Sequence, residues 1–141
     1  MLEILLVEDN PGDVYLVKRA LAEYRIAHNC HVARDGAEAL ALVEGMGRER
    51  GIPCPDIVLL DLNLPKADGT EILSAFRKHV ASALTPVLVM TSSNAPKDRA
   101  RLAELGVTRY FRKPSTLEGF MELGRIVREL AGESAVVAGG C

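Results

Sequence analysis

The sequence predicts an α/β fold, a doubly wound parallel sheet of five strands, and three observations carry that reading. Short apolar runs alternate with longer stretches of helical periodicity along the chain. Three of those runs are oily with no polar alternation, as strands covered by helices on both faces are. Cap and turn residues fall between the runs, so strand–helix units follow one another, the order that builds a parallel sheet.

The first strand is "EILLV" (3–7). Asn10 is a capping residue, Pro11 suits a first helical position, and Val14, Val17, Leu21 and Tyr24 repeat at helical spacing behind them. "CHVA" (30–33) is the second strand, and "DGAE" (35–38), an acidic relative of the capping box, opens the second helix. "GMGRERGIPCP" (45–55) is a polar loop rich in Gly and Pro. "DIVLL" (56–60) and "PVLVMT" (86–91) are the third and fourth strands. Gly106, in "LGV", stands where the fourth helix should stop. "TRYFR" (108–112) is the fifth strand, and "STLE" (115–118) is a capping box for a last helix beginning near Thr116 and fading near Ala131. The second and fifth strands are the more polar ones and are expected at the sheet edges.

The length of 141 residues suits one domain, read as residues 1–131, with 132–141 a short C-terminal tail. A net charge of −2 lacks the basic surface that nucleic acids and membranes demand, so neither is expected as a partner. No apolar run approaches the roughly 20 residues that span a bilayer. "MLEILLV" is interrupted by Glu3 and followed by acids, unlike a signal peptide. The cysteines, Cys30, Cys54 and Cys141, are odd in number and lack metal-ligand spacing, which reads as reduced thiols in the cytoplasm.

Ligands of open α/β sheets bind beyond the carboxyl ends of the strands. There the first strand offers Glu8 and Asp9, the third Asp61, the fourth Thr91, Ser92 and Ser93, and the fifth leads to Lys113 and Pro114. Clustered carboxylates repel one another, and a hard divalent cation such as Mg²⁺ is the ordinary remedy. A cation, a lysine and a hydroxyl together suit a transferring phosphoryl group, with an aspartate as the nucleophile that becomes an acyl phosphate.

The motifs "VEDN" (7–10), "LLDLNLPKADG" (59–69), "VMTSS" (89–93) and "RYFRKP" (109–114) resemble the receiver domains of bacterial response regulators. The wording of "LVEDNPGD" and "DLNLPKADG" is similar to the single-domain regulators paired with phytochrome-type sensor kinases. The resemblance covers residues 2–131 and implies a flavodoxin-like strand order, 2-1-3-4-5, with helices on both faces. It implies that Asp61 is the phosphoacceptor, fed by a sensor histidine kinase, and that Mg²⁺ is the cofactor. Glu8 and Asp9 would be the acidic pair, with Asp9 the more direct metal ligand, and Asn63 would add its backbone carbonyl. Thr91 would be the switch hydroxyl, Lys113 the phosphate-binding lysine and Tyr110 the aromatic switch, and the Lys113–Pro114 bond would be cis. It also implies a phosphoacceptor switch that catalyses only its own Mg²⁺-dependent phosphorylation and slow dephosphorylation, with no DNA-binding output domain.

Other residues have plainer readings. Asp13 is a first-turn helix acid, Asp68 a cap for the following helix, Asp56 a solvated strand opener, and His28, His31 and His79 are surface groups. Arg109 and Arg112 read as a solvated edge. Three other functions compete with the switch. A haloacid-dehalogenase-type phosphatase would carry a second Asp two residues past the nucleophile, where this chain has Asn63. A flavodoxin-like cofactor binder would suffer repulsion of its phosphate by the acidic "EDNPGD" loop. An inactive scaffold would not need the complete acidic set. Finally, Leu117, Phe120, Met121, Leu123, Val127 and Leu130 exceed one core-facing stripe. That surplus predicts a homodimer through the fourth helix, fifth strand and fifth helix.

Overall fold

Five parallel strands in the order β2-β1-β3-β4-β5 form the sheet of the computed structural model, which describes residues 1–64, 69–78, 84–92 and 99–135. The elements are β1 (Leu2–Val7), α1 (Pro11–Glu23), β2 (His28–Ala33), α2 (Gly36–Gly45), β3 (Ile57–Asp61), α3 (Gly69–Arg77), β4 (Val87–Thr91), α4 (Arg99–Glu104), β5 (Arg109–Arg112) and α5 (Leu117–Ala135). The expected order and edge positions hold. Every residue of β3 and β4 is buried, whereas β2 and β5 leave part of their length open.

The unbroken apolar strands feed two cores, one on each face of the sheet. Ile4, Leu6, Ile57, Leu59, Leu88 and Met90 meet α1 and α5 on one side. Leu5, Val7, Val58, Leu60, Val87 and Val89 meet α2, α3 and α4 on the other. Successive strand side chains point to opposite faces, so a strand wetted on neither face must be apolar at every position.

The caps follow the sequence with one shift. Asn10 Oδ1 accepts from the Gly12 N–H at 2.8 Å, and Asp35 Oδ1 accepts from the Glu38 N–H at 2.8 Å. At α5 the cap is Thr116 rather than Ser115, its Oγ1 accepting from the Gly119 N–H at 3.1 Å. Two adjacent hydroxyl residues can both cap, and the helix begins after the later one, at Leu117. Gly106 ends α4 with φ +80°, a left-handed conformation that glycine adopts without strain. The last helix continues to Ala135, past the expected fade near Ala131.

The apolar surplus on α5 is absorbed inside the fold, which corrects the basis for the expected dimer. Phe120, Leu123, Ile126, Val127 and Leu130 are all buried in the core they share with α1 and the sheet. Gly124 explains the depth of this packing. A Cβ there would strike the Ala20 carbonyl and the Tyr24 ring, so its absence lets α1 and α5 approach closely enough to bury a wider stripe. Of the residues that prompted the dimer, Leu117 stays exposed and Met121 half-buried. Outward-facing α5 is charged, with Arg125 bridging Glu122 and Glu129 at 2.8 Å each.

Two further expectations change. No cis peptide bond occurs among the described residues, so Lys113–Pro114 is trans. Proline weakens the trans preference without abolishing it. Cys30 is a free, half-buried thiol, but Cys54 is disulfide-bonded, against the reading of three reduced thiols. A disulfide needs sulfurs brought together in space, which spacing along the chain does not reveal. Cys141, His79, Asp68 and Ser93 lie outside the described residues. Asp56 is exposed as expected but accepts from the Glu3 N–H at 2.8 Å, and His31 Nε2 lies 2.8 Å from Glu3 Oε2. No described helix is long and apolar enough to cross a membrane.

Candidate functional site

Parallel pairing brings the carboxyl ends of four strands to one rim. Val7 pairs with Leu60, Asp61 with Met90, and Thr91 with Arg112, so Glu8, Asp61, Thr91 and Lys113 line up just beyond the core. Backbone hydrogen bonds extend the ladder there: the Glu8 N–H donates to the Ala33 carbonyl at 2.9 Å and the Lys113 N–H to the Thr91 carbonyl at 2.8 Å. The backbone ladder is thus continuous up to these residues.

Oxygens of Glu8, Asp9 and Asp61 lie within 4.8 Å of one another. Glu8 and Asp61 are buried and Asp9 reaches solvent, an arrangement open on one side. An all-oxygen donor set of this kind fits a hard divalent cation, with water completing the shell through the open side. Without one, burial and a hydrogen bond with Asp61 push the Glu8 carboxyl up to about 8.

Lys113 is the counter-charge. Its Nζ donates to Glu8 Oε1 at 2.7 Å and to Asp13 Oδ2 at 2.8 Å, and lies 3.3 Å from Asp61 Oδ2. Burial alone would lower the lysine's pKa; hydrogen bonds to Asp13 and Glu8 and the charge of Asp61 overcome that and raise it. The ammonium therefore stays charged beside Asp61.

Asp61 Oδ1 accepts from the Asn63 N–H at 2.9 Å, which turns the chain away from β3 and fixes the carboxylate. The Asn63 side chain donates to Ser92 Oγ at 2.6 Å, tying the β3 loop to the end of β4. Thr91 is buried at the last position of β4. Tyr110 stands apart from the carboxylates: its hydroxyl donates to the Arg99 carbonyl at 3.4 Å, and the Arg99 guanidinium lies 4.5 Å from its ring centre.

Glu8, Asp9, Asp61, Thr91 and Lys113, all singled out in the sequence, thus gather at one rim. Asp13 was missed. It reads locally as an ordinary first-turn acid, and its partner Lys113 lies a hundred positions away along the chain.

The response regulator receiver domain family matches residues 4–124 of this sequence. The chain belongs to that family. It is similar to response regulator Rcp1 of Synechocystis sp., 37% identical over 120 residues, which cover 85% of this chain and 82% of Rcp1. Among solved structures it resembles the phosphorylated cyanobacterial phytochrome response regulator RcpA, at 32% identity and a TM-score of 0.78, covering 99% of this chain and 97% of that one. It also resembles the Mn²⁺-bound form of Rcp1, at 34% identity and a TM-score of 0.77, covering 92% and 93% respectively. This receiver is accordingly a two-component response regulator, with an acidic pocket suited to a divalent metal.

Proposed function

We propose that Asp61 is the phosphoacceptor of a histidine kinase, and that the acyl phosphate formed there changes the surface this receiver offers to other chains. The carrying observation is the gathering of Glu8, Asp9 and Asp61 within 4.8 Å, with Lys113 Nζ 3.3 Å from Asp61. An Asp61 oxygen attacks phosphorus of the donor phosphohistidine. The new P–O bond forms as the P–N bond breaks, and the freed imidazole takes up a proton. Glu8, Asp9 and Asp61, with the Asn63 backbone carbonyl, would hold Mg²⁺, which supplies charge neutralisation for the phosphoryl oxygens when bound. Lys113 and Thr91 hold the remaining oxygens, an ammonium and a hydroxyl being the donors such oxygens need. Tyr110, on the edge strand, follows Thr91 as the readout.

The chain catalyses only its own phosphorylation and slow dephosphorylation, and acts in the cytoplasm. Its likeness to phytochrome response regulators supports a phytochrome-type kinase as donor. Self-association through α4, β5 and α5 would be a two-fold pairing of mixed charges, with Arg109 and Glu129 (3.3 Å apart within one chain) available for exchange across the axis. Transfer from purified candidate kinases tests the reading. Native protein gains one phosphoryl group and Asp61→Asn, equally folded, gains none; full-rate transfer to Asp61→Asn overturns it. Sedimentation with and without phosphorylation tests the pairing, which a monomer in both states removes.

A further inference from the structure

Lys113 has three carboxylate partners, and one of them lies outside the oxygen cluster suited to a metal. Glu8 and Asp61 belong to that cluster; Asp13, 2.8 Å from Nζ, does not. Asp13 comes from α1, three residues after the cap Asn10. An acid at this helical position ordinarily reaches back to the cap residue's N–H. Here that N–H already donates to Glu8 Oε2 at 3.3 Å, and Asn10 Oδ1 caps the Gly12 and Asp13 N–H groups. The local duties of an acid at this place are met by other groups, and the Asp13 carboxylate turns to Lys113 instead.

A divalent cation held by Glu8, Asp9 and Asp61 would compete with Lys113 for two of its partners and repel its ammonium. One anionic partner then remains. We propose that Asp13 is a positioning residue: it keeps Lys113 beside the rim while the cation holds Glu8 and Asp61, so that the ammonium is in place for an incoming phosphoryl group. This rests on the reading of Asp61 as acceptor. Lysine carries its charge on a flexible four-carbon stem, so a fixed second anchor changes where that charge waits. Asp13 itself never touches the reacting atoms.

A double-mutant cycle on the full chain tests it, using Asp13→Ala, Lys113→Ala and the pair. Two quantities are read in each protein: Mg²⁺ affinity by titration, and the initial rate of phosphorylation by acetyl phosphate, followed by intact mass. In that reaction an Asp61 oxygen bonds to phosphorus and acetate leaves with the electrons of the broken P–O bond. In the native background Asp13→Ala should lower both quantities about tenfold, the weight of one charged hydrogen bond. In the Lys113→Ala background the same change should cost only about twofold. Asp13→Asn, which keeps an oxygen acceptor without the charge, should recover part of the loss. A role confined to the α1 terminus would lower the melting temperature alike in both backgrounds and leave the cycle additive. Equal factors in the two backgrounds, or no loss in the native one, overturn the proposal while Asp61 remains the acceptor. If the native protein gains no phosphoryl group, or Asp61→Asn gains one, the reading of Asp61 fails and takes this proposal with it.

Discussion

The α1–α5 wall of this receiver and its α4–β5 wall flank the same rim and are held in different ways. On the first, Val17, Ala20 and Leu21 of α1 and Leu123 and Val127 of α5 are wholly inaccessible, and Gly124 lets the two backbones close on each other. Asp13 and Lys113 stand on this wall, joined at 2.8 Å. On the second, Leu102 is the buried residue of α4 among those described, and Tyr110 is tied by a 3.4 Å hydrogen bond and the Arg99 guanidinium over its ring. The charges that would handle phosphoryl are set in close packing; the side that would report it is held by weaker contacts. A switch needs both, because chemistry requires fixed geometry whereas a readout requires two arrangements of similar energy.

The largest expected effect comes from breaking the packed wall. Val127→Asp buries an unpaired carboxylate between α1, α5 and the sheet and should cost about 4 kcal/mol or more, enough to unfold much of the population. Denaturant melts read this directly. A folded, self-associating Val127→Asp protein would mean that α5 faces outward instead.

A sharper version compares two leucines of equal burial, one on each wall: Leu123 and Leu102 are both fully inaccessible. Leu123→Ala should fall at the upper end of the roughly 2–5 kcal/mol range for such truncations, and Leu102→Ala at the lower end, because a lightly anchored helix can collapse around the gap. Equal costs would erase the difference between the walls.

Arg99→Ala removes the guanidinium from the Tyr110 ring and should cost less than about 1 kcal/mol, as exposed cation–π contacts do. Ring motion of Tyr110, followed by NMR, should rise all the same. An unchanged ring would show that other contacts fix it.

The smallest effect lies far from both walls. Hydrogen bonds from Asn29 and His31 lower the Glu3 carboxyl below its usual 4.5. A lowered carboxylate adds stability that is present above pH 4.5 and lost as pH falls through the folded value below it. Glu3→Gln should therefore lower neutral stability by less than about 1 kcal/mol, leave stability below the folded pKa nearly unchanged, and so flatten the acid limb of the curve.

Much of this was legible because it depends on local constraints that sequence displays. β3 reads as buried on both faces since each of its positions is apolar until Asp61, and although a strand-end aspartate alone often only caps a turn, this one stands in order with Glu8, Asp9, Thr91 and Lys113. The sites of Glu8, Asp9, Thr91 and Lys113 follow from the same strand-end rule. Asp13 was hidden because its position has a sufficient local explanation, while the Glu8 bond to the Asn10 N–H that releases it is a fact of three dimensions. The α5 stripe misled for a related reason. Its apparent excess was counted against one packing surface, but Gly124 admits α1 as a second. The cap at Thr116 shifted by one residue because two hydroxyls stand side by side and either can cap.

We propose that phosphoryl resides on Asp61 and on no other of the clustered acids. Borohydride reduces an aspartyl phosphate to homoserine, which peptide mass mapping locates to a single residue. After incubation with acetyl phosphate and Mg²⁺, homoserine is expected at position 61 alone, and at no position when Mg²⁺ is chelated. Homoserine at Asp9 or Asp13, or an unmodified Asp61 under the same conditions, would contradict it.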